Sequence, residues 1–236
     1  MVARLLDLAP GGFEEIEDGD EVELAAYVDG AGEAAIRDAF PDAMATRVEP
    51  GWEDRWREFH QPAWAGGVWL GPPWETPPVD ALAVVIDPGR AFGTGAHATT
   101  RLCLELLAGL EQRGSLLDVG CGSGVLAVAA ARLGFGPIMA IDHDPIAVEV
   151  TRGNAVANGV EIDVRLVHAL RDPLPRADVA VANVLLAPVE AILARLDTGA
   201  AVTSGYLASE IPEHAGWTRT GTKTLDGWSA DVFVPG

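Results

Sequence analysis

The chain has 236 residues, 49% of them apolar, with 35 acidic against 16 basic residues and two cysteines. Such a chain can bury a core and is no disordered tail, and two cysteines are too few for a disulfide scaffold or a four-ligand structural zinc site. The net charge of −19 removes the counterion release on which nucleic-acid binding rests, and no stretch offers the roughly 20 apolar residues of a bilayer span.

Residues 1–7 lack the long apolar run of a secretion signal, so a reducing, cytoplasmic setting is expected, with no membrane attachment. Any macromolecular partner is expected to be basic. The charge is uneven: residues 1–60 carry 16 acidic and 5 basic residues, net −11, and residues 61–236 carry 19 and 11, net −8. The acidic run at 14–23 reads either as a solvated turn with an edge strand or as a docking face for a basic protein.

Three regions are expected in chain order. Residues 1–50 read as a small α+β unit with a strand at 22–28, a helix at 32–40 and a strand at 43–48. Residues 51–80 form a Trp- and Pro-rich connector that holds five of the seven tryptophans. Trp52 and Trp56, four apart, share a helix face that either packs on a domain surface or walls a cationic substrate. Residues 81–236 alternate strands (83–86, 116–119, 138–141, 162–167, 179–182, 200–203) with helices (100–112, 125–133, 145–158, 187–196). That alternation predicts an α/β fold, a doubly wound, mostly parallel sheet with helices on both faces. Only 207–215 can be helical after residue 203, and strands at 217–224 and 229–234 are expected to close the sheet as an antiparallel hairpin.

The segment at 116–127 carries the most information. An apolar strand enters Gly120-Cys121-Gly122-Ser123-Gly124 and then a helix, so a ligand is expected over the turn. Glycines there allow close backbone approach, and the helix N-terminus offers free N–H groups. The spacing G-x-G-x-G departs from the dinucleotide fingerprint G-x-G-x-x-G, because position 125 is Val. Asp142 ends the next strand, where a carboxylate can accept hydrogen bonds from both hydroxyls of a ribose. Asp144, just before Pro145, suits a helix cap better than a ligand contact.

These two motifs resemble those of class I S-adenosylmethionine-dependent methyltransferases, which carry E/D-x-G-x-G-x-G after the first strand and an acid at the end of the second. The resemblance implies S-adenosylmethionine as cofactor, a seven-stranded sheet, the glycine loop on the methionyl part and Asp142 on the ribose. Three further stretches narrow it: D-P-G-R-A-F-G-T-G-A-H-A-T-T at 87–100, I-D-H-D-P at 141–145 and A-N-V-L-L-A-P at 182–188. Together they resemble the family that methylates amino groups of ribosomal protein L11, over about residues 50–210. Ser204-Gly205-Tyr206-Leu207 is similar to that family's S-G-I-L segment, and Trp52 and Trp56 to its linker aromatic pair.

Carried over by matching motif position, the resemblance implies cofactor contacts from Thr100, Gly120, Asp142 and Asn183. Around them it places Phe92, Gly93, Thr94, Thr99, Asp118, Cys121, Gly122 and His143. Asn183 is the implied catalytic residue, its side-chain oxygen orienting the nucleophilic nitrogen. The implied substrate is a basic ribosomal protein. His97 reads either as a base or as a structural residue at a helix start, Cys121 as a small apolar filler, and the remaining histidines show no metal-ligand spacing. The family opens with a full ferredoxin-like recognition domain, whereas this chain reads as beginning inside that domain's first helix, at 3–8. Methylation of another protein or of a small amine, and cofactor binding without turnover, are the alternatives that this departure keeps open.

Overall fold

The computed structural model describes residues 8, 14–18, 21–26, 28, 30–45, 61–87, 95–111 and 113–236. The expected helix at 3–8 apart from Leu8, the pair Trp52 and Trp56, His60, and the site candidates Phe92, Gly93 and Thr94 lie outside them. The chain divides into two compact units, 1–55 and 56–236.

In the first unit β1 (Glu14–Asp18) pairs antiparallel with β2 (Glu21–Ala25), and helix α1 (Gly30–Ala39) follows. The described parts of the acidic run are thus two paired strands, with Asp18 opposite Glu21 in the register. The expected strand at 43–48 does not form over its described residues 43–45. Pro41 and Asp42 turn the chain instead, and the Ala43 N–H closes back on the Phe40 carbonyl.

The second unit opens with a three-stranded sheet of β3 (Ala63–Ala65), β4 (Val68–Gly71) and β5 (Leu82–Val85). β3 and β4 are antiparallel, and β4 and β5 parallel. The rest alternates: α2 (Ala98–Gly109), β6 (Leu116–Val119), α3 (Val125–Arg132), β7 (Ile138–Asp142), α4 (Pro145–Ala157), β8 (Asp163–Leu166), β9 (Val179–Asn183), α5 (Leu186–Leu193), β10 (Ala200–Leu207), β11 (Trp217–Leu225) and β12 (Trp228–Pro235). Strands β6 to β12 form the seven-stranded, mostly parallel sheet, in the order β11-β12-β10-β9-β6-β7-β8. β12 runs antiparallel to both its neighbours, which is the expected closing hairpin.

Alternate residues of the central strands divide the core. Leu116, Val179 and Val181 face one apolar cluster with α2, α3 and α4, whereas Leu117, Ala180 and Ala182 face the other side, where α5 packs. Both faces are covered, as a doubly wound sheet requires.

Two expectations are corrected. The run 83–86 stands in the sequence among the strands expected in the parallel sheet, yet β5 pairs with β4 in the smaller sheet. Asn158 explains this: its Oδ1 accepts from Val85 N–H at 2.8 Å and its Nδ2 donates to the Val85 carbonyl at 2.6 Å. The amide takes the place of a neighbouring strand on that edge. The stretch 207–215 is not helical, since β10 runs to Leu207 and a turn follows. Pro212 has no N–H and biases Ile211 away from helical geometry.

Candidate functional site

The C-terminal ends of β6 and β9 are adjacent, and the chain leaves them in opposite directions across the sheet, toward β7 and β10. Such a switch point opens a crevice. At the end of β6 the chain turns through Gly120, Gly122 and Gly124 with φ of 77°, 54° and 79°, the left-handed region that side chains resist. A Cβ on Gly120 would lie 2.8 Å from the Val184 side chain, and one on Gly124 2.7 Å from Thr151. The Gly120 and Cys121 N–H groups both donate to the Ile141 carbonyl, at 2.8 and 3.1 Å, which locks the loop to the end of β7.

Helix α4 supports the loop from behind. Its start is legible, with the Asp144 side chain accepting from Ile146 N–H at 2.8 Å and Pro145 in the first turn. Further along, Thr151 Oγ1 donates to the Gly122 carbonyl at 3.0 Å and lies 3.3 Å from Cys121 Sγ, and Asn154 Nδ2 donates to the Ser123 carbonyl at 2.9 Å. Asn154 Oδ1 also accepts from Asp87 N–H at 3.2 Å. Thr151, Asn154 and Asn158 were not among the expected site residues. Their signal is three polar residues at helical spacing on the face that also buries Ala147, Val148 and Ala155.

Asn158→Ala would leave Val85 N–H and C=O without their side-chain partners in a partly buried setting. We expect a loss of about 2–4 kcal/mol in urea unfolding, within the range for broken buried networks.

Asp142 gathers the loop around its carboxylate. Oδ2 accepts from Gly122 N–H at 3.1 Å, Oδ1 accepts from Asp144 N–H at 3.0 Å, and His143 Nδ1 lies 3.3 Å from Oδ1. Each oxygen keeps a second lone pair. The His143 ring also stands 5.5 Å from that of His168. Asp118 lies deeper, 1% exposed, its Oδ2 accepting from Ala127 N–H at 3.1 Å. Burial pushes its carboxyl up to about 7, with the Ala127 N–H opposing and the Asp142 charge adding to the rise. Asp118 therefore ties the first turn of α3 to the sheet. Burial likewise raises the Cys121 thiol to about 12, and its side chain packs within the apolar cluster.

On the other side of the crevice two residues 83 positions apart meet: Asn183 Nδ2 donates to Thr100 Oγ1 at 3.3 Å. That bond fixes the amide and leaves its oxygen as the acceptor end. Thr100 is buried and Asn183 half-buried at the end of β9. Thr99 turns elsewhere, its Oγ1 2.8 Å from His97 Nδ1. The His97 ring caps α2, accepting from Thr99 N–H at 3.4 Å, and packs edge-on against Trp228 at 5.0 Å. Its structural reading holds.

One polar side-chain atom is left over. Among the described residues, Arg101 Nε, beside Thr100, is buried with no hydrogen-bond partner.

Comparison with known proteins gives this geometry its context. Residues 19–227 match the family model described as ribosomal protein L11 methyltransferase. A relative of that name from Legionella pneumophila is 37% identical over 217 residues, covering 85% of this chain and 74% of its own length. Another from Symbiobacterium thermophilum is 41% identical over 197 residues, covering 77% and 65%. The chain thus spans about two thirds to three quarters of these relatives. The crystal structure of a ribosomal protein L11 methylase from Lactobacillus delbrueckii subsp. bulgaricus superposes with a TM-score of 0.65 at 26% identity, covering 72% of this chain and 95% of that one. The sheet order, the glycine loop locked to the acid of the next strand, and a matched span of most of the sequence agree: the chain belongs to the ribosomal protein L11 methyltransferase family.

Proposed function

We propose that the chain is an S-adenosylmethionine-dependent protein N-methyltransferase that modifies lysine or N-terminal amines of ribosomal protein L11. The observation that carries this reading is the Thr100–Asn183 bond at the end of β9 together with the Asp142–Gly122 bond at the end of β7, on the two sides of β6. The residues fit the cofactor in two ways. The left-handed turn at Gly120, Gly122 and Gly124 presents backbone without side chains, and both Asp142 oxygens keep lone pairs for ribose hydroxyls.

The cofactor supplies an activated methyl group on a sulfonium, which an amine lone pair displaces in line. Around it the chain has to hold the nitrogen at the right distance and keep water out. Asn183 Oδ1, with its Nδ2 held by Thr100, accepts from an amine N–H and so aims the lone pair. A lysine side chain ionises near 10.4 and must arrive neutral. An amide is no base and His97 is engaged in its cap, so the proton leaves to water at the half-buried mouth of the site.

The net charge of −19 supports a basic protein as substrate over a nucleic acid, and no described helix is long and apolar enough to cross a membrane. Both agree with work on ribosomal protein in the cytoplasm.

Incubation with radiolabelled S-adenosylmethionine and proteins from unmethylated ribosomes is expected to label ribosomal protein L11, identified by mass spectrometry. Label on another protein would move the substrate and keep the chemistry. Cofactor binding with no label anywhere would leave a binding protein.

A further inference from the structure

Asn183 sits beside a β-bulge. It pairs with Ser204 across β9 and β10, and the β10 register shifts between Ser204 and Tyr206. Inside the bulge Gly205 has φ of 103°, and a Cβ there would lie 2.2 Å from the Val184 carbonyl oxygen. The Val184 N–H donates to the Ser204 carbonyl at 3.0 Å. The peptide that follows Asn183 therefore takes its position from the bulge.

Thr203 and Tyr206, on either side of that bulge, are tied together directly by the Tyr206 phenol, which also bonds a buried carboxyl. Tyr206 Oη donates to Asp231 Oδ2 at 2.9 Å, lies 2.7 Å from Thr203 Oγ1 and shares its hydrogen with the Thr203 carbonyl at 3.1 Å. Asp231 Oδ1 accepts from Thr222 Oγ1 at 2.5 Å, with the Arg219 guanidinium 3.6 Å away. Tyr206, Thr203 and Asp231 are all buried. Burial holds the Tyr206 phenol above its ordinary pKa, so it remains a donor. Apolar residues could fill this space without desolvating a carboxyl, whereas a fully connected polar cluster admits one arrangement where apolar packing admits several.

We propose that Tyr206 and Asp231 are positioning residues for methyl transfer: by joining residues 203 and 206 they set the bulge, and the bulge sets Asn183 against Thr100. This rests on the reading of Asn183 given above. Neither residue touches the reacting atoms, so their effect passes through Asn183 alone.

The test is a double-mutant cycle. Tyr206→Phe is expected to lower kcat about tenfold, with KM for S-adenosylmethionine and Kd for S-adenosylhomocysteine within about twofold of wild type. In an Asn183→Ala background the same change is expected to cost nothing further. Asp231→Ala, which removes the acceptor that holds the Tyr206 phenol, is expected to lower kcat by a similar factor, and an unchanged kcat there overturns the role of Asp231. An unchanged kcat in Tyr206→Phe overturns the proposal, as does a loss that persists in the Asn183→Ala background or one shared equally by cofactor binding. Should Tyr206→Phe fail to fold, Thr203→Val removes one hydroxyl of the same cluster and carries the same prediction, and an unchanged kcat there counts against the proposal equally. A wild-type chain that binds cofactor and transfers no methyl group to any protein overturns the functional reading, and this proposal with it.

Discussion

Asn183→Ala is expected to lower kcat for methyl transfer about 100-fold, the scale on which losing a positioning contact slows a reaction that depends on alignment. Kd for S-adenosylhomocysteine should move by less than about threefold, because the loop and the acid that cradle the nucleoside do not rely on this side chain. The bond between Asn183 Nδ2 and Thr100 Oγ1 makes the reason specific. With one end of the amide fixed, the other can hold an amine hydrogen and aim the lone pair. Asn183→Asp should also be slow, since it loses the donor to Thr100 and brings a charge that favours the protonated, unreactive amine. Initial rates with labelled cofactor, beside calorimetric titration with S-adenosylhomocysteine, check both statements. A fall in affinity as large as the fall in rate would place Asn183 among the cofactor's supports.

Asp118→Asn should make the protein more stable at alkaline pH. The folded-state pKa of about 7 lies above the ordinary 3.8, so the folded chain keeps a proton that the unfolded chain releases. The stability this carboxyl contributes is complete below about 3.8 and is lost as the pH climbs through about 7. Asparagine keeps an oxygen for the Ala127 N–H and has no charge to bury. Its advantage should grow from near zero at pH 4 to the order of 4 kcal/mol at pH 9, from the free energy carried by a shift of that size. The thiol of Cys121, at about 12, stays protonated over nearly all of this range and does not obscure the trend. Urea midpoints at pH 4, 6 and 8 are the measurement. A constant difference would show that Asp118 stays ionised in the fold with its charge compensated.

The site was legible in the sequence where function is local. The glycine turn, the acid that ends β7 and the Asp144 and Pro145 start of α4 each depend on neighbours a few residues apart. The meeting of Thr100 with Asn183 spans 83 positions and was not read in the sequence, where the resemblance implied only a cofactor contact for each, since no periodicity links residues at that distance. The run 83–86 shows why the fold was not read completely. Its apolar character fits a parallel strand, and β5 is one, but hydrophobicity does not name the partner. Nor does it show that the amide of Asn158, 73 positions away, bonds both backbone groups of Val85. The helix expected at 207–215 failed on Pro212. Tyr206 and Asp231 could not be paired from sequence, because they meet only when β10 and β12 are in register.

The support that α4 gives the glycine loop has a thermodynamic corollary. Thr151 and Asn154 hold the loop's carbonyls in place by contacts within the protein, so its shape is set before any ligand arrives and little ordering entropy is spent on association. Affinity is then stored in a helix that the ligand never needs to touch. Substitutions on the buried face of α4 should register as weaker cofactor binding even while the crevice keeps every side chain that lines it.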